Sequence, residues 1–409
     1  MHRIRACLIG IVALSALIGC GKRPNRKPIR PVEISRTAAP ILDKILQETQ
    51  SKFAPDWPAV QIRVLPDGEL QADIVAVNSQ SWASEYLSGG VPIVVSEEDL
   101  TKIQNGKILT ITNSSNPPRF GFVNFPAQPQ GKLVDARKNF STRLTKKSHP
   151  QGSAGYPPRE TFNLVLYPTS LGFFEAFLSK LPKDDQKHPA IIWITGGDCN
   201  TIDQGCYNQG PYSADQSASA YREAGIVMMF PSLRGGNSNP GQKEGFLGEV
   251  DDVIAAADFL AKQPGIDPNR IYLGGHSTGG TLVLLAAASS SKFRAVFSFG
   301  PADTPVGYPE EFTPFDTNDP FEVELRAPIK WLQDITTPTF LFEGAKEPSN
   351  ADAVHAMSNR VPLVQGFVVQ GRDHFTVLAV NNLIAERILA DTGPTCNLKF
   401  SEPDFAQFR

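Results

Sequence analysis

Five cysteines in 409 residues is few. They form no Cys-x-x-Cys pair and no His/Cys cluster at ligand spacing, so nothing in the sequence points to a bound metal, and no cofactor is expected. Charge of one sign is also lacking. With 39 basic and 42 acidic residues the formal net charge is −3, which offers no basic field for nucleic acid. A long hydrophobic run is missing where one would be looked for first, at the start. The apolar stretch 8–19 would span about 18 Å as a helix, against about 30 Å for a bilayer core. No internal repeat is present. What remains is an ordinary globular composition, 41% hydrophobic and 20% charged, long enough for one large domain and an accessory one.

The first residues form a pattern of their own. Arg3 and Arg5 precede the apolar stretch, which closes on Leu17-Ile-Gly-Cys20. This reads as a secretion signal over 1–19. Its ending resembles the bacterial lipobox, which implies cleavage before Cys20 and lipid on that cysteine. Gly21 replaces the aspartate that retains such proteins at the inner membrane. The expected place is therefore the cell envelope of a bacterium, anchored by lipid at the outer membrane. Residues 20–31 carry Lys22, Arg23, Arg26, Lys27 and Arg30 among prolines, a solvated tether beside anionic headgroups. Cys199, Cys206 and Cys396 are left for an oxidising compartment. Cys199 and Cys206 are close enough in sequence to bridge, and the pairing among the three stays open.

Residues 32–127 read as a small α+β domain. A helical spacing at Ile41, Leu42, Ile45 and Leu46 is followed by short strand-like runs at 60–65, 74–77, 92–95 and 108–112. Residues 128–159 are polar, with a Pro/Gly-rich end, and read as a linker or a long connection. From 160 to the end the rhythm changes. Continuous apolar runs at 190–195, 226–230, 270–274, 295–299, 339–342 and 366–369 suit parallel strands buried on both faces. Helical patterns lie between them at 249–261, 278–289 and 377–390. Two further strands at 162–167 and 172–178 come first. The expected class is α/β, a doubly wound, mostly parallel sheet with helices on both faces.

One stretch carries chemistry: Gly275-His276-Ser277-Thr278-Gly279, between the strand at 270–274 and the helix at 278–289. Glycines on both sides permit a sharp bend that exposes the Ser277 hydroxyl at the carboxyl edge of the sheet. The backbone N–H of Thr278 then faces an oxyanion at the helix start. A serine needs a base. His276 points away from its neighbour at such a bend and reads as packing. His149 and His188 lie in loops and His355 on a helix. His374 follows the strand at 366–369 by a short loop and is the expected base. The orienting acid should follow the strand at 339–342. Glu343 ends that run, Glu347 lies in the loop beyond it, and Asp352 comes five residues later. Glu347 is preferred, with Asp352 as the alternative. The second oxyanion donor is Gly197 or Asp198, after the strand at 190–195.

These motifs resemble the α/β-hydrolase superfamily, and within it the catalytic domain of the prolyl oligopeptidase family. The resemblance covers residues 162–389. It rests on the Ser277 motif, on Thr195-Gly-Gly197 in the place of His-Gly-Gly, on Pro231-Ser-Leu-Arg-Gly-Gly236, on Gly248-Glu-Val-Asp-Asp252, and on Gly371-Arg-Asp-His-Phe375. It implies Ser277 as nucleophile, Glu347 as acid and His374 as base. Thr195 stands where that family has histidine, and no stretch is long enough for the β-propeller that filters its peptide substrates. The implied substrate is a small ester or peptide. An insertion at 300–331, with Tyr308, Phe312, Phe315, Phe321 and Trp331, reads either as a cap over the site or as a loop anchored by its aromatics. The alternative to an enzyme is a non-catalytic binding lipoprotein on the same scaffold, because fold alone proves no activity.

Overall fold

Side chains alternate along a strand, so a continuous apolar run must feed two cores. Ala190, Ile192 and Ile194 join one hydrophobic cluster, and Ile191 and Trp193 join another on the opposite face. The same division holds for Leu273 against Tyr272. In the computed structural model eight strands share this arrangement: β1 Phe162–Thr169, β2 Gly172–Ser179, β3 His188–Ile194, β4 Val227–Pro231, β5 Ile266–His276, β6 Val296–Phe299, β7 Thr339–Lys346 and β8 Val364–Asp373. Their order across the sheet is β8-β7-β6-β5-β3-β4-β2-β1. Only β2 runs against its neighbours; the β3–β4, β3–β5, β5–β6, β6–β7 and β7–β8 pairs are parallel. This is the α/β-hydrolase topology.

The structure describes residues 131–408 other than 139, 150 and 359, together with the backbone of six short strands between 30 and 124. The chain divides into two compact units, 1–127 and 128–409. In the first, Pro58–Val64 pairs antiparallel with Leu70–Ala76, and Lys107–Thr112 with Arg119–Asn124. The signal sequence, Cys20, the tether up to residue 29 and the helical spacing at Ile41, Leu42, Ile45 and Leu46 lie outside the described residues. No helix among the described residues is long and apolar enough to cross a membrane.

In the second unit, helices α1 (Leu133–Lys138), α2 (Ser219–Glu223), α3 (Glu249–Leu260), α4 (Thr278–Ser289), α5 (Pro320–Glu324), α6 (Ala351–Met357) and α7 (Val380–Ala390) cover the sheet. Val250, Val253 and Ala257 of α3 pack with α4 on one face, while Tyr221 of α2 and Ile384 and Ile388 of α7 pack on the other. Residues Thr278 to Ala288 of α4 are all buried, which explains why the helix is apolar on every side. The chain end adds Leu398, Phe400, Phe405 and Phe408 against Phe342 and Phe367.

Two expectations need correction, and the either-or at 300–331 gains detail. The segment 131–159 is not a linker: Leu133 is fully buried and its N–H donates to Asp334 Oδ2 at 2.7 Å. Thr142 Oγ1 and the Arg143 N–H donate to Glu322, and Leu144 bridges to Phe315. Its polar residues looked solvated in the sequence because their partners lie far along the chain. The insertion at 300–331 is anchored by some of its aromatics, while Phe321 stays exposed. Phe315 and Trp331 are buried, the Tyr308 hydroxyl meets Thr281 Oγ1 at 2.7 Å, and the buried Arg326 guanidinium stacks 4.0 Å over Phe315. Cys199, Cys206 and Cys396 are all thiols, and Cys199 and Cys206 belong to clusters on opposite faces of the sheet. Burial pushes the Cys206 thiol up to about 12, so it is an inert core group.

Candidate active site

Strand β5 ends at His276 and α4 begins at Thr278, leaving one residue to turn the chain. That residue, Ser277, has φ 56° and ψ −117°. A non-glycine residue there costs on the order of 1–3 kcal/mol, and it persists because the surroundings hold it. The Ser277 N–H donates to Phe299 O at 2.7 Å, and its carbonyl accepts from Thr281 N–H at 2.9 Å. The turn also needs close approach of backbone to backbone. A Cβ on Gly279 would overlap Ile194 O and lie 2.6 Å from Thr195 O, so no larger residue fits where helix meets strand.

His374 sits just past the end of β8, with its N–H donating to Pro348 O at 2.8 Å. Its ring lies 4.7 Å, centroid to centroid, from that of His276, the residue before Ser277. The base expected from sequence is therefore at the same rim of the sheet as the serine. Its Nδ1–H donates to a carboxylate at 2.8 Å, and that carboxylate belongs to Glu343. Since Nδ1 is engaged, Nε2 is the nitrogen left to accept a proton. Phe375, about half exposed, stands edge-on to both imidazoles.

Glu347 is not brought to His374. It is exposed, and its Oε2 accepts from the Ser349 N–H at 3.1 Å. Asp352 lies in the first turn of α6, and the carboxylate that meets His374 Nδ1 is a different one. The reason is the length of β7. The strand continues four residues past Phe342, so Glu343 lies within the sheet, paired with Val368, and the loop proper begins only after Lys346. The Glu343 side chain is fully buried. Its Oε2 accepts from His374 and from the Asn350 N–H at 2.9 Å, and Oε1 accepts from the Gly344 N–H at 2.6 Å. Three hydrogen bonds leave this carboxylate no freedom to turn. A sequence signal existed: a carboxylate closing a buried apolar strand is costly unless it is paired.

Of the expected oxyanion residues, Gly197 meets Thr278, the residue after Ser277. Gly197 has φ +70°, and its carbonyl accepts from Thr278 Oγ1 at 2.8 Å and from the Cys199 N–H at 3.0 Å. The Asp198 carboxylate is held by Lys243 Nζ at 2.5 Å and Thr201 Oγ1 at 2.8 Å. Thr278 opens α4, so its N–H has no acceptor within the helix. The loop rests on the turn after β4. Asn200 O accepts from Leu233 N–H, Asn200 Nδ2 donates to Arg234 O, and Arg234 forks onto Asp252 at 2.9 and 3.0 Å. Among the described residues no group of three or more His, Cys, Asp or Glu side chains could hold a metal ion.

His276 is 2% exposed and its Nε2–H donates to the His374 carbonyl at 2.9 Å. Burial, and next the neighbouring His374, lower its pKa to about 3. With Nε2–H spent on that carbonyl and its basicity lowered by burial, it is a poor general base.

The fold is that of the α/β-hydrolases. A family model described as the prolyl oligopeptidase family matches residues 212–346. The chain is 34% identical over 88 residues to a thiohydrolase of Aspergillus aculeatus, a match covering 21% of this chain and 28% of that one. It is 30% identical over 111 residues to a dual-function macrocyclase-peptidase of Galerina marginata, covering 26% and 14%. The matches thus span well under half the length of these relatives. Among solved structures, an acylaminoacyl peptidase of Pyrococcus horikoshii superposes with a TM-score of 0.47 at 14% identity, over 74% of this chain and 57% of that one.

Proposed function

We propose that this chain is a serine hydrolase that cleaves ester or peptide bonds through an acyl-enzyme. The observation that carries the reading is the buried Glu343–His374 pair, at 2.8 Å, beside a serine held at positive φ on a strand-to-helix turn. Ser277 Oγ attacks the substrate carbonyl carbon while His374 Nε2 takes its proton. Glu343 fixes the imidazole with Nδ1–H inward and offsets the positive charge that forms. Backbone N–H groups at Thr278 and at Gly197 or Asp198 receive the oxyanion. The tetrahedral centre collapses, the leaving alcohol or amine takes the proton from His374, and Ser277 keeps the acyl group. Water then repeats the sequence and releases the acid.

The thiohydrolase and the macrocyclase-peptidase matched above carry names that concern hydrolysis of a sulfur compound and of peptides. Peptide hydrolysis passes through attack on an acyl carbon, which supports the reaction class and leaves the leaving group open. A fluorophosphonate probe is expected to add to the folded protein, with loss of fluoride, and the adduct mass should map to the peptide containing Ser277. A folded protein that stays unlabelled overturns the reading. A panel of short-chain 4-nitrophenyl esters against chromogenic dipeptides then separates esterase from peptidase.

The place of action is proposed from Leu17-Ile-Gly-Cys20 alone. The mature chain carries lipid at Cys20 and works at the bacterial envelope. Radiolabelled palmitate should enter the wild-type protein, and Cys20→Ser should abolish both the label and sedimentation with membranes. Equal sedimentation of the two forms removes the anchor.

A further inference from the structure

Among the buried titratable groups, one touches the proposed machinery without a part in it. His276 is next to the nucleophile in the chain, and its ring packs on that of the base. Its Nε2–H donates to the backbone carbonyl of His374, not to a side chain, at 2.9 Å. On the other edge, Nδ1 has no hydrogen-bond partner and faces the oxyanion loop: a Cβ on Gly196 would sit 3.0 Å from it and 3.2 Å from Ser277 Cβ. The ring is thus wedged between the loop after β3 and the loop after β8. Those two loops have no covalent link nearer than the whole run from Gly196 to His374.

We propose that His276 is a positioning residue: its Nε2–H ties the backbone of the base to the residue covalently joined to the nucleophile, and so sets the distance between Ser277 and His374. The inference rests on the serine-hydrolase reading above. The chemistry requires a donor at Nε2 and an unprotonated Nδ1. A second proton would add an N–H where no acceptor waits and a cation beside the imidazolium formed in each turnover. Positioning by a direct neighbour is effective because Cα atoms across one peptide are fixed at about 3.8 Å. Misplacement of a reacting group by about 1 Å can cost about 10²-fold.

The test compares three proteins by the second-order rate of fluorophosphonate labelling, by kcat and by KM on one ester. H276M fills a similar volume without a donor and is expected to lose about tenfold in labelling rate and kcat, the worth of one buried hydrogen bond, with KM unchanged. H276Q restores an N–H donor and is expected to recover at least about threefold of that loss. Labelling of H276M as fast as wild type overturns the proposal, and so does a loss confined to KM. Should H276M fail to fold, the imidazole nitrogen shifts of wild-type His276 decide: the Nε2–H tautomer is required, and the Nδ1–H tautomer overturns it. Wild-type protein that does not label at Ser277 overturns the hydrolase reading itself, a different result from labelling that ignores residue 276.

Discussion

Glu343→Gln is expected to lower kcat by about 10⁴-fold, the scale seen when a triad acid becomes an amide, while Glu347→Gln stays within about twofold, as exposed substitutions away from a site do. The mechanism of the loss is the tautomer. Glu343 Oε2 accepts from His374 Nδ1 and from the Asn350 N–H, so both of its neighbours are donors. Oε1 accepts from the Gly344 N–H, so an amide, with one oxygen and one NH2 group, satisfies only part of the full set of three donors. An NH2 group turned toward Nδ1 would demand an acceptor there, moving the ring proton to Nε2, where Ser277 needs a lone pair. Steady-state rates on a 4-nitrophenyl ester measure the effect. The melting temperature of each variant separates chemistry from folding, because leaving a buried donor unpaired also costs about 1–3 kcal/mol. The larger loss falling on Glu347→Gln would return the acid to the loop and set the observed pairing aside.

That contrast shows where the sequence stops being legible. Strand and helix positions in the hydrolase unit were readable because each apolar run had to be buried on both faces; the runs at 190–195 and 295–299 meet strands His188–Ile194 and Val296–Phe299. Ser277 and His374 stood out as candidates because local chemistry marks them, glycines around a turn in one case and a short loop after a strand in the other. Which carboxylate meets His374 was not readable from chain order. Glu343, Glu347 and Asp352 all fall between Ser277 and His374, and only the register of β7 on β8 puts Glu343 within the sheet. The segment 131–159 was opaque for a related reason. Its partners Glu322, Pro314 and Asp334 lie far along the chain, and no local pattern announces a long-range hydrogen bond.

Gly300→Ala is the second large effect expected, a fall in kcat of at least about 10²-fold with KM little changed, as for a reacting group displaced by about 1 Å. Gly300 follows β6, its N–H donates to Phe342 O at 2.8 Å, and its φ is +57°. A Cβ at this position would overlap His374 Cε1, stand 2.6 Å from Nδ1 and 3.1 Å from Glu343 Oε2. The missing side chain is therefore the space in which the imidazole lies against its acid. The left-handed backbone adds a cost of roughly 1–2 kcal/mol for alanine, and this part shows as a lower melting temperature. The two contributions separate because the imidazole is needed for rate and the backbone for stability. Alanine should slow fluorophosphonate labelling in proportion to kcat at a temperature where the variant is fully folded. Labelling at the wild-type rate, with only the melting temperature reduced, would mean that His374 yields to the methyl group without losing its hold on Glu343.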